Sequence, residues 1–138
     1  MKKYIGTKQI EAEPMSMGEA FAKGLLQAGR VPDAEYAKHV GYHVRYDNGY
    51  ESWSPADVFE KTYRIADTFI QRLRIERDDL SARYNKAREF FYSPKFENEL
   101  WPHERQAFET QLDLMRKYLA VLDARIGYAE NKNKTCNA

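Results

Sequence analysis

Between Ala66 and Ile126 the sequence carries two seams, each an unbroken alternation of four- and three-residue steps. The first runs Ala66, Ile70, Leu73, Arg77, Leu80, Tyr84, Ala87, Phe91. The second runs Trp101, Arg105, Phe108, Leu112, Met115, Leu119, Leu122, Ile126. Such spacing keeps one row of side chains on one face of an α-helix, so two rows joined by a short connection predict an antiparallel helical hairpin. Arg77 and Arg105 interrupt rows that are otherwise almost wholly apolar or aromatic. A guanidinium does not enter a dry seam without an anionic partner, so at each the seam must end, bend or meet a negative charge. Pairing Phe91 with Trp101 sets Arg77 near Met115 and Arg116. Two cations there would repel unless an acid or a ligand phosphate lies between them.

Ser93-Pro94 ends the first helix, Pro102 opens the second, and residues 94–101 form the turn between them. After Gly127 the chain is rich in Asn and Lys, which predicts a mobile tail over 129–138. The second helix has another row beside its seam: Ala107, Leu114, Tyr118 and Val121, interrupted by Gln111. The matching row on the first helix (Phe69, Arg72, Glu76, Asp79, Arg83, Lys86, Phe90) is mostly charged. One antiparallel partner cannot cover the wider apolar face of the second helix, so another subunit or the N-terminal sheet is expected to cover the rest. A homo-oligomer is the favoured expectation.

The N-terminal half reads as strands with short helices. Tyr4–Ile10 predicts an edge strand. Ser16 and Glu19 form a capping box ahead of an amphipathic stretch that Gly29 can stop. Residues 30–41 read as a loop. Two alternating runs, Tyr42–Tyr46 and Gly49–Trp53, flank Asp47-Asn48-Gly49, a hairpin signal because Asn-Gly supplies positive backbone φ angles. Ser54-Pro55-Ala56-Asp57 predicts a helix start with a hydroxyl cap, and Asp67 is a candidate cap for a fresh helix after a hinge at 63–66. The expected fold is α+β: a small N-terminal antiparallel β-sheet with a short helix (1–65), then a long antiparallel helical hairpin (66–128).

Composition narrows the function classes. Lys and Arg, at 22, nearly balance Asp and Glu, at 21, so bulk charge does not point to nucleic acid. Apolar runs of a few residues do not suffice for a membrane span, and none of signal-peptide length follows Met1-Lys2-Lys3-Tyr4. The single cysteine, Cys136, has no partner for an intrachain disulfide. His39, His43 and His103 are scattered without metal-ligand spacing.

The stretch Gly41–Arg64 (GYHVRYDNGYESWSPADVFEKTYR), with the start MKKYIGTK and the step Glu13-Pro14-Met15, resembles a module common in small phage proteins. The second half is similar to the helical hairpin shared by the type-one Thoeris anti-defence protein and the anti-CBASS cyclic-nucleotide sponge. The matching residues are Phe90-Phe91-Tyr92-Ser93-Pro94-Lys95-Phe96 at the turn, then Gln111-Leu112, Met115, Tyr118-Leu119, Leu122 and Arg125-Ile126. The resemblance implies a phage protein of the infected bacterial cytoplasm that assembles into a dimer or hexamer. It would hold a cyclic nucleotide immune signal without degrading it: a cyclic ADP-ribose isomer made by a TIR-domain enzyme, or a cyclic di- or trinucleotide. No cofactor, metal, nucleic acid or membrane partner is implied.

A cyclic nucleotide presents flat bases and phosphates, so its pocket needs aromatic faces and guanidinium forks. The resemblance assigns ligand contact to Phe90, Arg64 and Arg116, and extends to Phe91 and Asn98 near the turn. Arg105 would serve a second pocket for cyclic trinucleotides, where Glu109, four residues on, would oppose a phosphate. The plainer alternatives stand beside these: Phe90 and Phe91 as hairpin core, and the arginines as surface ion-pair partners, Arg116 with Asp113 for instance. No Ser-His-Asp set, Cys/His metal set or paired carboxylates in an evident cleft points to an enzyme. The reading from another class is a phage structural or adaptor module whose hairpin mediates protein–protein contacts.

Overall fold

A computed structural model describes residues 1–136. The chain divides into two compact units, Met1–Arg64 and Ile65–Ala138. The architecture is α+β, with a three-stranded antiparallel sheet in the first unit and long helices in the second.

In the first unit, strand β1 is Glu11–Ser16, β2 is Val40–Arg45 and β3 is Glu51–Pro55, in the order β1-β2-β3. Glu11 pairs with Arg45 and Ser16 with Val40; Gly41 pairs with Pro55 and Arg45 with Glu51. The strand expected at Tyr4–Ile10 is absent from that position; β1 begins at Glu11. Tyr4 and Ile5 are almost fully exposed, whereas Met15 is buried, so the stretch that gains burial by pairing is the later one. Pro14 is tolerated because β1 lies at the sheet edge.

The expected capping box forms. The backbone N–H of Glu19 donates to Ser16 Oγ at 3.2 Å, and that of Ser16 donates to Glu19 Oε2 at 3.0 Å. It opens α1, Met17–Ala22. Gly24, not Gly29, ends this helix. It adopts φ +73° and donates to the Phe21 carbonyl, while Leu25 N–H donates to that of Ala20, which is a Schellman closure. A single 3-10 turn, Tyr36–Lys38, leads into β2.

The β2–β3 turn is a three-residue loop rather than a two-residue Asn-Gly turn. Tyr46 and Tyr50 close it, Gly49 alone takes a positive φ of 85°, and Asn48 accepts from the Tyr50 N–H through its side chain. Trp53 of β3 lies across Gly41 and donates its indole N–H to the Met15 carbonyl at 2.8 Å. A Cβ on Gly41 would stand 2.4 Å from both Trp53 Cζ2 and the Ser54 carbonyl oxygen, so only glycine fits. Ser54 remains in β3, paired with Tyr42, and makes no helix cap. Helix α2, Ala56–Thr62, follows Pro55, and its Phe59 stacks on Tyr42 at 4.1 Å between ring centroids.

In the second unit α3 spans Phe69–Phe91, α4 Lys95–Glu99 and α5 Pro102–Cys136. The cap of α3 is Thr68 rather than Asp67. Thr68 Oγ1 accepts from the Gln71 N–H, and Gln71 Oε1 accepts from the N–H groups of Thr68 and Asp67, a reciprocal box that a lone Asp67 cannot make. Pro102 opens α5 as expected. The helix does not stop at Gly127. One glycine inside a helix costs about 1 kcal/mol, and Glu130, beyond it, is bound to Arg74 of α3 at 2.7 Å. The expected mobile tail is therefore helical through Cys136; Asn137 and Ala138 lie outside the described residues.

The two seams meet. Leu73, Leu80, Leu122 and Ile126 form the buried core, with Met115 and Leu119 packed against it. Their register differs from the expected one. Arg77 donates to Asp123 at 3.1 Å and to Asp78 at 2.7 Å, so of the three expected outcomes the seam meets a negative charge, and Arg77 is not set against Met115 and Arg116. The reason is the tip. Trp101 precedes α5 and is 69% exposed, while Phe96 of α4, assigned to the turn, is buried. Phe96 stacks obliquely on Phe91 and Phe108 at 4.8 and 5.6 Å, and Phe90 meets Phe108 edge-on at 5.4 Å. This cluster, rather than Phe91 with Trp101, closes the hairpin.

Among the described residues no helix is long and apolar enough to cross a membrane.

Candidate functional site

A groove of about 220 Å³ runs between α3 and α5 close to the tip. Helix α3 contributes Tyr84, Arg88 and Phe91, and its C-cap contributes Tyr92; α5 contributes Glu109, Leu112, Asp113 and Arg116. Each set is spaced by steps of three and four or adjacent to such a step, so each presents one helix face. The faces meet because the seams pull the helices together just below, at Leu80 and Met115.

Aromatic rings and guanidinium groups converge here. The Arg88 guanidinium lies 5.6 Å from the centre of the Tyr84 ring, a cation–π arrangement that braces it without using its hydrogen-bond donors. Phe91 is half-buried and contacts the rings of Phe96 and Tyr92, the latter meeting it edge-on at 5.0 Å. Tyr92 is 75% exposed.

The charged part is tied together on α5. Arg116 Nη2 donates to Asp113 Oδ1 at 2.7 Å, and Lys117 Nζ lies 2.7 Å from Asp113 Oδ2. The hydrogen bond from Lys117, followed by that from Arg116, holds the Asp113 carboxyl below the usual carboxylate range. The hydrogen bond to Asp113 in turn raises Arg116. Arg88 and Arg116 therefore share the groove with two carboxyl side chains, Glu109 and Asp113.

Of the residues expected at a site, Phe91 and Arg116 line this groove together. Phe90 turns into the cluster with Phe96 and Phe108. Asn98 is exposed on α4, its backbone N–H bound to the Pro94 carbonyl. Arg105 is half-buried in the first turn of α5, where its N–H donates to the Trp101 carbonyl. Arg64 closes the N-terminal unit. Arg116 makes the ion pair with Asp113 that an ordinary surface arginine would make.

Tyr84, Arg88 and Leu112 line the groove without being evident as site residues in the sequence. The available signal was positional: Tyr84, Arg88 and Phe91 step by four and three along α3, as Glu109, Leu112 or Asp113 and Arg116 do along α5. Among the described residues no set of three or more His, Cys, Asp or Glu side chains is gathered to hold a metal ion.

A family model described as Sequestin matches residues 67–128. No curated protein and no solved structure matches the chain. The matched segment, a little under half of the sequence, contains α3, the tip, the groove and most of α5, and it is this hairpin that is similar to Sequestin.

Proposed function

We propose that the hairpin captures a cyclic nucleotide immune signal in the α3–α5 groove and keeps it from its receptor, which makes the protein a phage anti-defence sponge acting in the infected bacterial cytoplasm. The observation that carries this reading is the meeting of Tyr84, Phe91 and Tyr92 with Arg88 and Arg116 in one groove of the segment that matches Sequestin. Aromatic surfaces take bases and guanidinium forks take phosphates. The ligand class in this reading is a cyclic ADP-ribose isomer from a TIR enzyme, with cyclic di- and trinucleotides as further candidates.

Binding without turnover fits the pairing of Asp113, one of the two groove carboxyls. Asp113 is committed to two cations and held as a carboxylate below its usual range, which makes it a weak general base. The size of the groove favours a shared site. At about 220 Å³ it is smaller than the roughly 300–1,000 Å³ pockets that enclose a ligand of this kind. One hairpin supplies one wall, and a second copy of the chain in a dimer or hexamer would supply another.

The test is capture and release. Purified protein is incubated with cyclic ADP-ribose isomers and cyclic di- and trinucleotides, filtered, heat-denatured, and the released material is identified by mass spectrometry. Intact ligand missing from the filtrate and recovered after heating is the expected result. Recovery of a chemically altered product would replace the sponge with an enzyme, and depletion of nothing would refute the reading.

A second reading rests on a separate observation. Leu114, Tyr118 and Val121 form an apolar row on α5 and are 60%, 44% and 54% exposed. In an adaptor module this row would hold a protein partner, and a stoichiometric partner in a pull-down with no small molecule bound would favour it.

A further inference from the structure

The groove contains a feature that a simple phosphate trap would not need: two carboxyl side chains set among its arginines. We propose that Asp113 is a charge gate, a specificity residue that keeps abundant linear nucleotides carrying several phosphates out of the groove. This inference rests on the reading that the groove binds a nucleotide.

The argument starts from the pairing. Asp113 spends one oxygen on Arg116 and the other on Lys117, each at 2.7 Å. Among the groove residues themselves Arg88 and Arg116 are offset by Glu109 and Asp113; Lys117, on the other oxygen of Asp113, is not one of them. A phosphate approaching Arg116 meets a carboxylate within one guanidinium's width of its landing point. Each additional negative charge on the incoming group adds a further repulsion, because like charges a few Å apart at a protein surface interact without full screening. A ring-closed nucleotide has no terminal phosphate and carries fewer charges than a linear triphosphate, and it also offers ribose hydroxyl and base amino donors, which a carboxylate accepts. The same residue thus penalises a triphosphate and welcomes a compact ligand rich in donors. The Arg116 fork keeps free donors for one phosphate even while it holds Asp113.

The experiment uses the full chain, Asp113→Asn and Asp113→Glu, each checked by circular dichroism for unchanged helix content. Affinities for AMP, ADP and ATP are measured by calorimetry at low and high salt, beside the cyclic ligand that the wild-type protein captures. The amide keeps the side chain's shape and removes its charge. Asp113→Asn should gain affinity in the order AMP, ADP, ATP, reaching about five- to tenfold for ATP at low salt and shrinking as salt rises. Asp113→Glu, which keeps the charge, should show no gain that grows with phosphate number. A merely structural role would shift all ligands alike and show no dependence on phosphate number. If the wild type captures a cyclic ligand but Asp113→Asn gains nothing for ATP, the gate is wrong while the sponge stands. If the wild type captures no cyclic nucleotide, the underlying reading fails and the gate falls with it.

Discussion

Leu122 and Leu114 are the same residue type on the same helix, and the structure assigns them opposite energetic roles. Leu122 is completely buried against Leu73, Leu80 and Ile126, whereas Leu114 is 60% exposed. Truncating a fully enclosed leucine removes its transfer free energy and leaves a cavity, so Leu122→Ala should cost about 3 kcal/mol, within the roughly 2–5 kcal/mol span of such changes. For a unit of this size each 1 kcal/mol is worth about 4–8 °C, so its melting midpoint should fall by about 12–24 °C. Leu114→Ala should change the stability of a dilute sample by no more than about 0.5 kcal/mol. Urea denaturation followed at 222 nm reports the hairpin, which holds most of the helix. Repeating it over a range of protein concentrations separates the monomer from any assembly. A cost for Leu114→Ala that appears only at high concentration would mean a second copy covers the α5 row. A cost below about 1 kcal/mol for Leu122→Ala, or equal costs for both variants in dilute solution, would refute the packing argument.

Other consequences are equally direct. Phe91→Ala and Arg116→Ala should each weaken capture of the cyclic ligand by at least about tenfold in equilibrium dialysis, whereas Phe90→Ala should chiefly lower thermal stability because its ring sits in the tip cluster; unchanged capture in both groove variants would dismiss the site. Gly41→Ala should cost the N-terminal unit about 1–3 kcal/mol and shift the emission of Trp53, read in a Trp101→Phe background, because the added methyl enters the indole; an unshifted spectrum would contradict that contact. Arg74 holds the Glu130 carboxyl below its ordinary value of 4.5, so this pair stabilises the hairpin above that value and is lost as the pH falls through the lowered one. The urea midpoint should therefore drop below about pH 4.5, less steeply in Glu130→Gln; parallel curves would rule the linkage out.

Much of the architecture was legible because it is written in local spacing. The Ser16–Glu19 box, the β2–β3 hairpin and both long helices each depend on residues within a few positions of one another; the box is found where the pattern places it, and the hairpin and helices are present with shifted ends. Choices between near-equivalent local signals were less legible. Gly24 and Gly29 are both competent helix stops, and Thr68 and Asp67 are both competent caps; the winner in each pair is the one whose neighbours complete a second hydrogen bond. The candidate site was half legible. Its ingredients, aromatic rings and arginines near the turn, were evident, but Phe90 and Phe91 are indistinguishable by composition and differ only in which way the helix turns them.

By itself, then, the amino-acid order determined an α+β chain with a helical hairpin, an arginine at which the seam had to end, bend or meet a negative charge, and a second helix more apolar than one partner requires. Those properties follow from period and chemistry, which need no knowledge of distant contacts. Only the tertiary structure decided that Arg77 meets Asp123 rather than the neighbourhood of Arg116, that Phe96 rather than Trp101 closes the tip, and that Tyr84, Arg88, Phe91 and Arg116 share one groove. Several registers satisfy two heptad-like seams almost equally well. The one adopted is selected by burying the Phe96 ring among Phe90, Phe91 and Phe108, a packing energy that belongs to no local stretch of the sequence.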